Sequence, residues 1–541
     1  MSYDLIVRGG RIVDGAGNPW YRGDVAVADG RIAAVGRLAD AGADRVIDAE
    51  GLVVAPGFVD AHSHADGGVI VYPEMESTLV QGITTVVVGQ CGGSPAPINP
   101  EMRELLEERY AKHMPPGIEF KITWTTFDEY LRRVEEVGVG ANIAHHVGHS
   151  TVRVAAMGFD ARQPTEDELE EMRRLVAEAM EAGAYGLSTG LIYPPGMFAT
   201  TDEIVELAKV VARYGGVYDS HIRGEGATLL KAVAEAIEIG ERAGLPVQIS
   251  HHKAAGKSAW GKSVETLRMM EEARRRGVDV TFDQYPYRAG STSLVTLLPP
   301  WAHDGGVEKL LERLGNEADR ERMRRDIETG LPGWENFAGA LGWENIMVSY
   351  VRSEANKAAE GKNLVEIKEM RGDPDEFTAL YRLLLEEEGA AGMVIFAMQE
   401  EDVRRIMRHH LQMVGTDASS VASTGPFALG KPHPRHFGTY PRVLGRYVRE
   451  YGVLRLEEAV RKMTSFPAQR FGILDRGLIR PGMWADITIF DPETVIDNAT
   501  YQNPHQLPGG IPYVIVNGVV AVERGRCTGA LAGKVLRKKV G

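Results

Sequence analysis

The chain opens with alternating apolar and polar positions, "YDLIVRGGRIVDG" and then "GDVAVADGRIAAVG", which read as strands turning at glycine and aspartate. The same signature closes it in "ADITIFDPETVID" and "YVIVNGVVAVERGR". The two ends therefore predict one small β-sandwich built from both termini, residues 1–54 and 476–541.

Between them, from about residue 52, one theme recurs: a short β-rich run, a polar turn, then a helical stretch. The runs are "LVVAPGFVDAHSH", "GITTVVVGQCG", "ANIAHHVGHS", "GAYGLSTGLIY", "GGVYDSHIRGEG", "LPVQISHHKA", "VDVTFDQYPY" and "HLQMVGTDAS". Segments such as "EDELEEMRRLVAEAMEAG" and "ATLLKAVAEAIEIGERAG" carry apolar residues at helical spacing. Eight such units predict an α/β fold, a (β/α)8 TIM-type barrel over residues 55–475, with its site at the C-terminal ends of the strands. A six-stranded doubly wound sheet would leave two runs unplaced. The stretch from about 288 to 408, containing "STSLVTLLPPW", is too long for a connection and predicts an inserted lid over the barrel mouth.

Composition narrows the function. The 541 residues suffice for an enzyme with an enclosed site, and 44% hydrophobic with 25% charged residues is ordinary for a soluble globular chain. Against 75 acidic residues stand 61 basic ones, a net charge of −14 that argues against a general grip on nucleic acid. The N-terminus reads as a strand rather than a signal core, and no apolar run reaches the ~18 residues of a membrane span. Two cysteines far apart, Cys91 and Cys527, make no disulfide framework and fit a reducing compartment, so the cytoplasm is the expected location.

Chemistry gathers at the ends of the predicted strands. His62 and His64 in "DAHSH" sit two apart, which points both imidazoles to one face of a strand. Taken alone, such a pair is weak evidence. Cys91 ends the second run, His221 the fifth, His251 the sixth and Asp417 the eighth, and in a barrel those ends converge. Imidazole, thiolate and carboxylate together suit zinc with an open position for water. Of the doublet His251–His252 only one can face inward, and His251 closes the periodic run. His145, His146 and His149 in "AHHVGHS" read as polar residues at a strand end; His149 is a candidate ligand contact that no spacing argument promotes.

At these residues the chain resembles the amidohydrolase superfamily, and more closely the D-aminoacylase (N-acyl-D-amino-acid deacylase) family. The resemblance spans nearly the whole chain, through "GGRIVDGAGNPW", "PGFVDAHSHAD", "GLSTGLIYPPG", "SHIRGEG", "ISHHK", "KPHPRHFGTYPRVLGRYVRE" and "PGMWADITIFD". Most amidohydrolases bridge two metals with a carboxylated lysine at the fourth strand; here that strand ends "GLSTG" and Cys91 stands in for it, as in the D-aminoacylases. The resemblance implies a tightly held zinc on Cys91, His221 and His251, and a second, weaker position involving His62, His64 and Asp417. The family's "SDG" is "TDASS" around Asp417, which keeps the carboxylate and alters the loop.

It further implies hydrolysis of an N-acyl-D-amino acid, with metal-activated water and Asp417 as general base and then acid. Lys253, Tyr285 and Arg435 match the positions that take the substrate's α-carboxylate. With no basic residue in "STSLVTLLPPW", an apolar D-amino acid is the expected substrate, unless Arg288 points inward. The expected partner is this small molecule, with neither nucleic acid nor membrane, and a homo-oligomer is compatible with the reading. The rivals are a cyclic amidase of dihydroorotase or hydantoinase type and a non-catalytic scaffold of the same fold.

Overall fold

The computed structural model describes residues 3–38, 41–112 and 114–539. The eight β-rich runs form parallel strands: β1 (Phe58–Asp60), β2 (Ile83–Val88), β3 (Asn142–His145, resuming at Val147–Gly148), β4 (Gly186–Gly190), β5 (Val217–His221), β6 (Val247–Ile249), β7 (Val280–Gln284) and β8 (Gln412–Val414). Near-continuous burial along them reflects cover on both faces, as parallel sheets require. They pair in two sheets, β1 through β3 to Asn142–His145 and then Val147–Gly148 through β8, with helices such as Glu166–Glu181, Thr201–Arg213 and Leu229–Ala243 between them. The helix Glu166–Glu181 starts where the local chemistry dictates: Thr165 and Glu168 close a reciprocal capping box.

The sheets meet at both seams. Between β1 and β8, Ala61 N–H donates to the Val414 carbonyl (3.3 Å) and Asp417 N–H to that of His62 (2.8 Å). The buried Tyr440 hydroxyl spans the same seam, within 2.8 Å of the Val59 carbonyl and 3.0 Å of the Val414 carbonyl, while its ring stacks on Phe58 at 5.4 Å. At the other seam Val147 pairs with Leu187, and below them the C-terminal residues Val535–Leu536 pair with Ile143 and Ala144. Lys538 N–H then reaches the Gly183 carbonyl at 2.8 Å. The tail is thus wedged between β3 and β4, although the pattern of the sequence had given all of 476–541 to the terminal β-domain.

The termini assemble one continuous nine-stranded sheet rather than two hydrogen-bonded layers. Its central pairs are Val53–Pro56 against Ile487–Phe490 and Tyr3–Ile12 against Tyr21–Ala28. Strand twist curls it until Ile32 N–H donates to the Met483 carbonyl and Ala485 N–H to that of Gly30, both at 2.9 Å. The enclosed face holds Leu5, Val25, Ile32, Ile487 and Ile515. The first strand of the central ring begins only after Val53–Pro56, so the terminal sheet runs past residue 54.

Between β7 and β8 the chain leaves to build three antiparallel strands, Ala289–Ser293, Ile346–Tyr350 and Gly392–Phe396, with their own helices and a separate core around Leu310, Met323, Leu364 and Leu380. Glu400–Arg408 does not belong to it: Val403, Ile406 and Met407 pack into the main core, so the independent segment ends near Phe396 rather than at 408. No helix among the described residues is long and apolar enough to cross a membrane.

Tyr440→Phe keeps the ring and removes the seam's hydroxyl bridge. We expect a loss of about 1–2 kcal/mol, read as a lower midpoint of urea unfolding; an unchanged midpoint would show that the backbone bonds alone hold the seam.

Candidate metal centre

Six donors meet at the C-terminal ends of the parallel strands. His62 and His64 follow β1, Cys91 follows β2 across a turn at Gly89, His221 ends β5, His251 follows β6 and Asp417 follows β8. Three of them hold left-handed backbone, Cys91 (φ 51°), His251 (φ 34°) and Asp417 (φ 53°), a conformation that costs about 1–3 kcal/mol in a non-glycine residue and persists only where the surroundings enforce it. The turns that aim them are crowded. A Cβ on Gly190, at the end of β4, would lie 2.1 Å from the Cys91 carbonyl.

Cys91 Sγ lies 3.4 Å from His62 Nε2, 3.6 Å from His221 Nδ1 and 3.5 Å from His251 Nε2. Zinc bonds to sulfur and nitrogen at a tetrahedral angle separate the two donors by about 3.5 Å. The spacing, and the chemistry of the set, fit that ion. Asp417 Oδ1 stands 3.6 Å from His62 Nε2 and 3.1 Å from His64 Nε2. Compact groupings of donor atoms are His62, Cys91, His251 and Asp417, and separately His221, Glu225 and His251. They cut across the division into two triplets that the family pattern implies, because Cys91 sits centrally to all three imidazoles.

Burial governs the protonation of the cluster. It lowers His62, His221 and His251 from the ordinary histidine value, aided by their mutual proximity and by Lys253, so the imidazoles keep free lone pairs. It pushes the Cys91 thiol up, and Asp417 adds to the effect, so only a cation can make the thiolate comfortable there. Burial would raise Asp417 too, but Arg435 Nη1, donating to Oδ2 at 2.8 Å, and the neighbouring histidines hold it well below the usual carboxylate range.

Lys253, Tyr285 and Arg435 come together beside the cluster. Lys253 Nζ lies 5.4 Å from the Tyr285 ring centre and the Arg435 guanidinium 4.9 Å from it on cation–π contacts. Lys253 Nζ also donates to Glu225 Oε1 (2.5 Å) and stands 2.7 Å from His251 Nδ1. Arg435 Nη2 reaches the Ser291 carbonyl of the inserted segment at 3.3 Å. Arg288 is exposed. Three of the other candidate histidines are engaged elsewhere, His252 Nε2 with Thr266 Oγ1 (2.9 Å), His149 Nε2 with Glu203 (2.9 Å) and His145 with Asp66 and the His146 carbonyl, while His146 Nε2 lies 3.7 Å from Asp219.

Sequence reasoning passed over four buried carboxylates. Glu225, in "SHIRGEG", lies 3.1 Å from His251 Nδ1, where a carboxylate accepts the ring proton and frees Nε2. Asp60 accepts from Thr416 N–H (2.8 Å), Asp219 from the Ser250 hydroxyl (2.6 Å), and Asp283 from His251 N–H (2.7 Å). Burial pushes Asp60 and Asp219 up to about 7. The signal existed in "VDAH" and "YDSH", where Asp60 and Asp219 stand two residues before a candidate ligand and hence on its face of the strand.

Residues 45–522 match the model of the amidohydrolase family. The chain is 37% identical to D-aminoacylase of Alcaligenes xylosoxydans xylosoxydans over 99% of its length and 98% of that protein's. It is 39% identical to N-acyl-D-glutamate deacylase of the same organism, over 95% of this chain and 93% of the relative. Among solved structures, N-acyl-D-glutamate deacylase from Bordetella bronchiseptica, complexed with zinc and a phosphonate mimic of the tetrahedral intermediate, superimposes with a TM-score of 0.81 at 36% identity, covering 99% of this chain and all of the other. The chain belongs to the amidohydrolase family, in its D-aminoacylase (N-acyl-D-amino-acid deacylase) branch.

Proposed function

We propose that this protein is a zinc-dependent N-acyl-D-amino-acid deacylase, which hydrolyses its substrate to a carboxylate and a free D-amino acid. The observation that carries the reading is a partly buried thiol ringed by three imidazole nitrogens at 3.4–3.6 Å, next to a carboxylate that an arginine keeps ionised. Kinship with deacylases of D-configured substrates supports the stereochemistry. The central ring is read as a (β/α)8 barrel, the curled terminal sheet as its small β-domain and the segment near 289–396 as a lid. Small-molecule work in the cytoplasm fits the acidic surface and the cysteine usage.

Cys91, His221 and His251 would hold a tightly bound zinc, and His62, His64 and Asp417 a second, weaker position. A zinc ion there supplies Lewis acidity towards the amide carbonyl and lowers the pKa of water. Asp417, whose Oδ2 is held by Arg435 while Oδ1 lies 3.1 Å from His64 Nε2, takes a proton from the attacking water and returns it to the leaving amine. Arg435 and Lys253 meet the α-carboxylate. Both already face carboxylates, Asp417 and Glu225, so the substrate enters a paired network rather than a naked positive patch. Glu225 holds Lys253 and His251 at once, and thereby fixes the carboxylate seat relative to the metal position. With Arg288 exposed, apolar side chains are favoured. A cyclic amidase is disfavoured because β4 ends in Gly190, whose missing side chain admits the Cys91 carbonyl.

With N-acetyl-D- and N-acetyl-L-leucine as a pair, zinc-loaded wild type should release leucine from the D-form alone. Cys91→Ala should lose its tight zinc by elemental analysis and about a thousandfold in kcat/KM, equal to about 4 kcal/mol. Equal cleavage of both enantiomers would remove the stereochemical claim, and full zinc content in the variant would remove Cys91 from the metal site.

Arg435→Met tests the carboxylate seat. Wild type should prefer N-acetyl-D-leucine over the uncharged N-acetyl-D-leucinamide by about tenfold or more, and the variant should lose that preference. A preference that survives the substitution would assign the α-carboxylate to other groups.

A further inference from the structure

Buried arginines near the metal centre have carboxylate partners: Arg153 lies 3.2 Å from Glu203, and Arg435 2.8 Å from Asp417. Arg109, partly buried on the helix Arg103–Ala111, is different. Its guanidinium lies over the Phe159 ring at 4.7 Å, and among the described residues it makes no hydrogen bond and no ion pair. Glu308 is the acid whose field it feels, and burial outweighs that field and lowers its pKa from the ordinary arginine value.

Two cavities, of about 250 and 260 Å³, share Arg109, Phe159 and Pro194 as walls. One reaches Ser94 and Ser150, and Ser150 N–H donates at 2.9 Å to the carbonyl of Gly92, the residue after Cys91. The other reaches Tyr193, whose ring meets that of His221 at 4.9 Å. Lys112 and Glu388, also on its wall, neutralise each other at 2.9 Å, which leaves Arg109 as the uncompensated charge.

Direction follows from the deacylase reading, on which this inference rests. Lys253, Tyr285 and Arg435, the α-carboxylate seat, follow β6, β7 and β8. A scissile carbonyl at the Cys91 cluster then sends its acyl substituent the opposite way, towards the loops after β2, β3 and β4 that wall these cavities. We propose that Arg109 is an acyl-specificity residue that receives a second carboxylate at the far end of the acyl chain, so that the enzyme takes D-amino acids acylated by a dicarboxylic acid of succinyl or glutaryl length. Phe159 suits the methylenes and the guanidinium suits the carboxylate. Water adds its oxygen to the acyl carbon and a proton to the nitrogen, so the products are the dicarboxylate and the free D-amino acid.

The experiment compares kcat/KM for N-succinyl- and N-glutaryl-D-leucine with the neutral N-butyryl and N-pentanoyl analogues in zinc-loaded wild type, Arg109→Leu and Arg109→Lys. The charged-to-neutral ratio is independent of the fraction of folded enzyme. For the better acyl length it should exceed about ten in wild type, fall to about one in Arg109→Leu and stay between in Arg109→Lys. A wild-type ratio near one, or a ratio untouched by Arg109→Leu, overturns the assignment. So does a variant that instead changes the preference for N-acetyl-D-glutamate over N-acetyl-D-leucine, which would put the second carboxylate on the amino-acid side chain. If wild type cleaves no N-acyl-D-amino acid at all, the deacylase reading falls with it; cleavage of N-acetyl-D-leucine with a ratio near one sinks the Arg109 assignment alone.

Discussion

The close approach of Cys91 to three imidazoles is the constraint on which the rest of the molecule is arranged. A partly buried thiol among neutral histidines is poor company for itself, since burial disfavours its ionised form, Asp417 adds to that effect, and Lys253 offsets it only in part. Holding it there takes left-handed backbone at Cys91, His251 and Asp417, each of which the parallel strands beneath must over-determine. They do so through the buried aspartates. Asp283 grips the His251 N–H, and Asp60 grips the Thr416 N–H beside Asp417, so the strained turns are anchored to carboxylates that point from the strands below. A cation at the centre would relieve the thiol and the aspartates together.

The same constraint explains the fourth strand. Of the six donors, Cys91 is the one that stands within 3.6 Å of three imidazole nitrogens. Here it comes from the turn after β2, and its carbonyl occupies the place where a side chain at Gly190 would project. A side chain at the end of β4 and this path of the backbone at position 91 are therefore sterically exclusive.

The strand runs and the metal-type donors were legible in the sequence because both depend on local rules. Alternation, helical spacing and the habit of polar residues at strand ends need no knowledge of distant partners, and they singled out Cys91 and the five candidate donors that the fold gathers with it. What escaped was long-range. The pairing of Val535–Leu536 with Ile143 and Ala144 rests on two residues of strand nearly 400 positions away, too short for any periodic signal. The helix Glu400–Arg408 follows the insertion without a break in pattern, yet its apolar face packs into the main core. The terminal strands looked like two layers because hairpin signals do not reveal how far a single sheet will curl. Glu225 and Asp219 lay inside quoted motifs and read as spacers, since a carboxylate's value as an orienting partner appears only when its histidine is in place.

The inserted segment is tied to the site by polar bonds rather than by bulk contact alone. Arg435, which holds Asp417, also donates to the Ser291 carbonyl on the segment's first strand. On the opposite flank Glu335, buried and pushed up to about 7, accepts from the backbone N–H groups of Glu225 and Gly226 at 2.8 and 3.1 Å. Each tie ends on a residue that already orients a charged group of the site, Asp417 on one side and Lys253 on the other. A displacement of the segment therefore moves Asp417 and Lys253, the proposed proton carrier and carboxylate contact, along with the segment's own walls. Substrate choice and turnover in this fold are consequently coupled through geometry, and changes confined to the insertion should act on both.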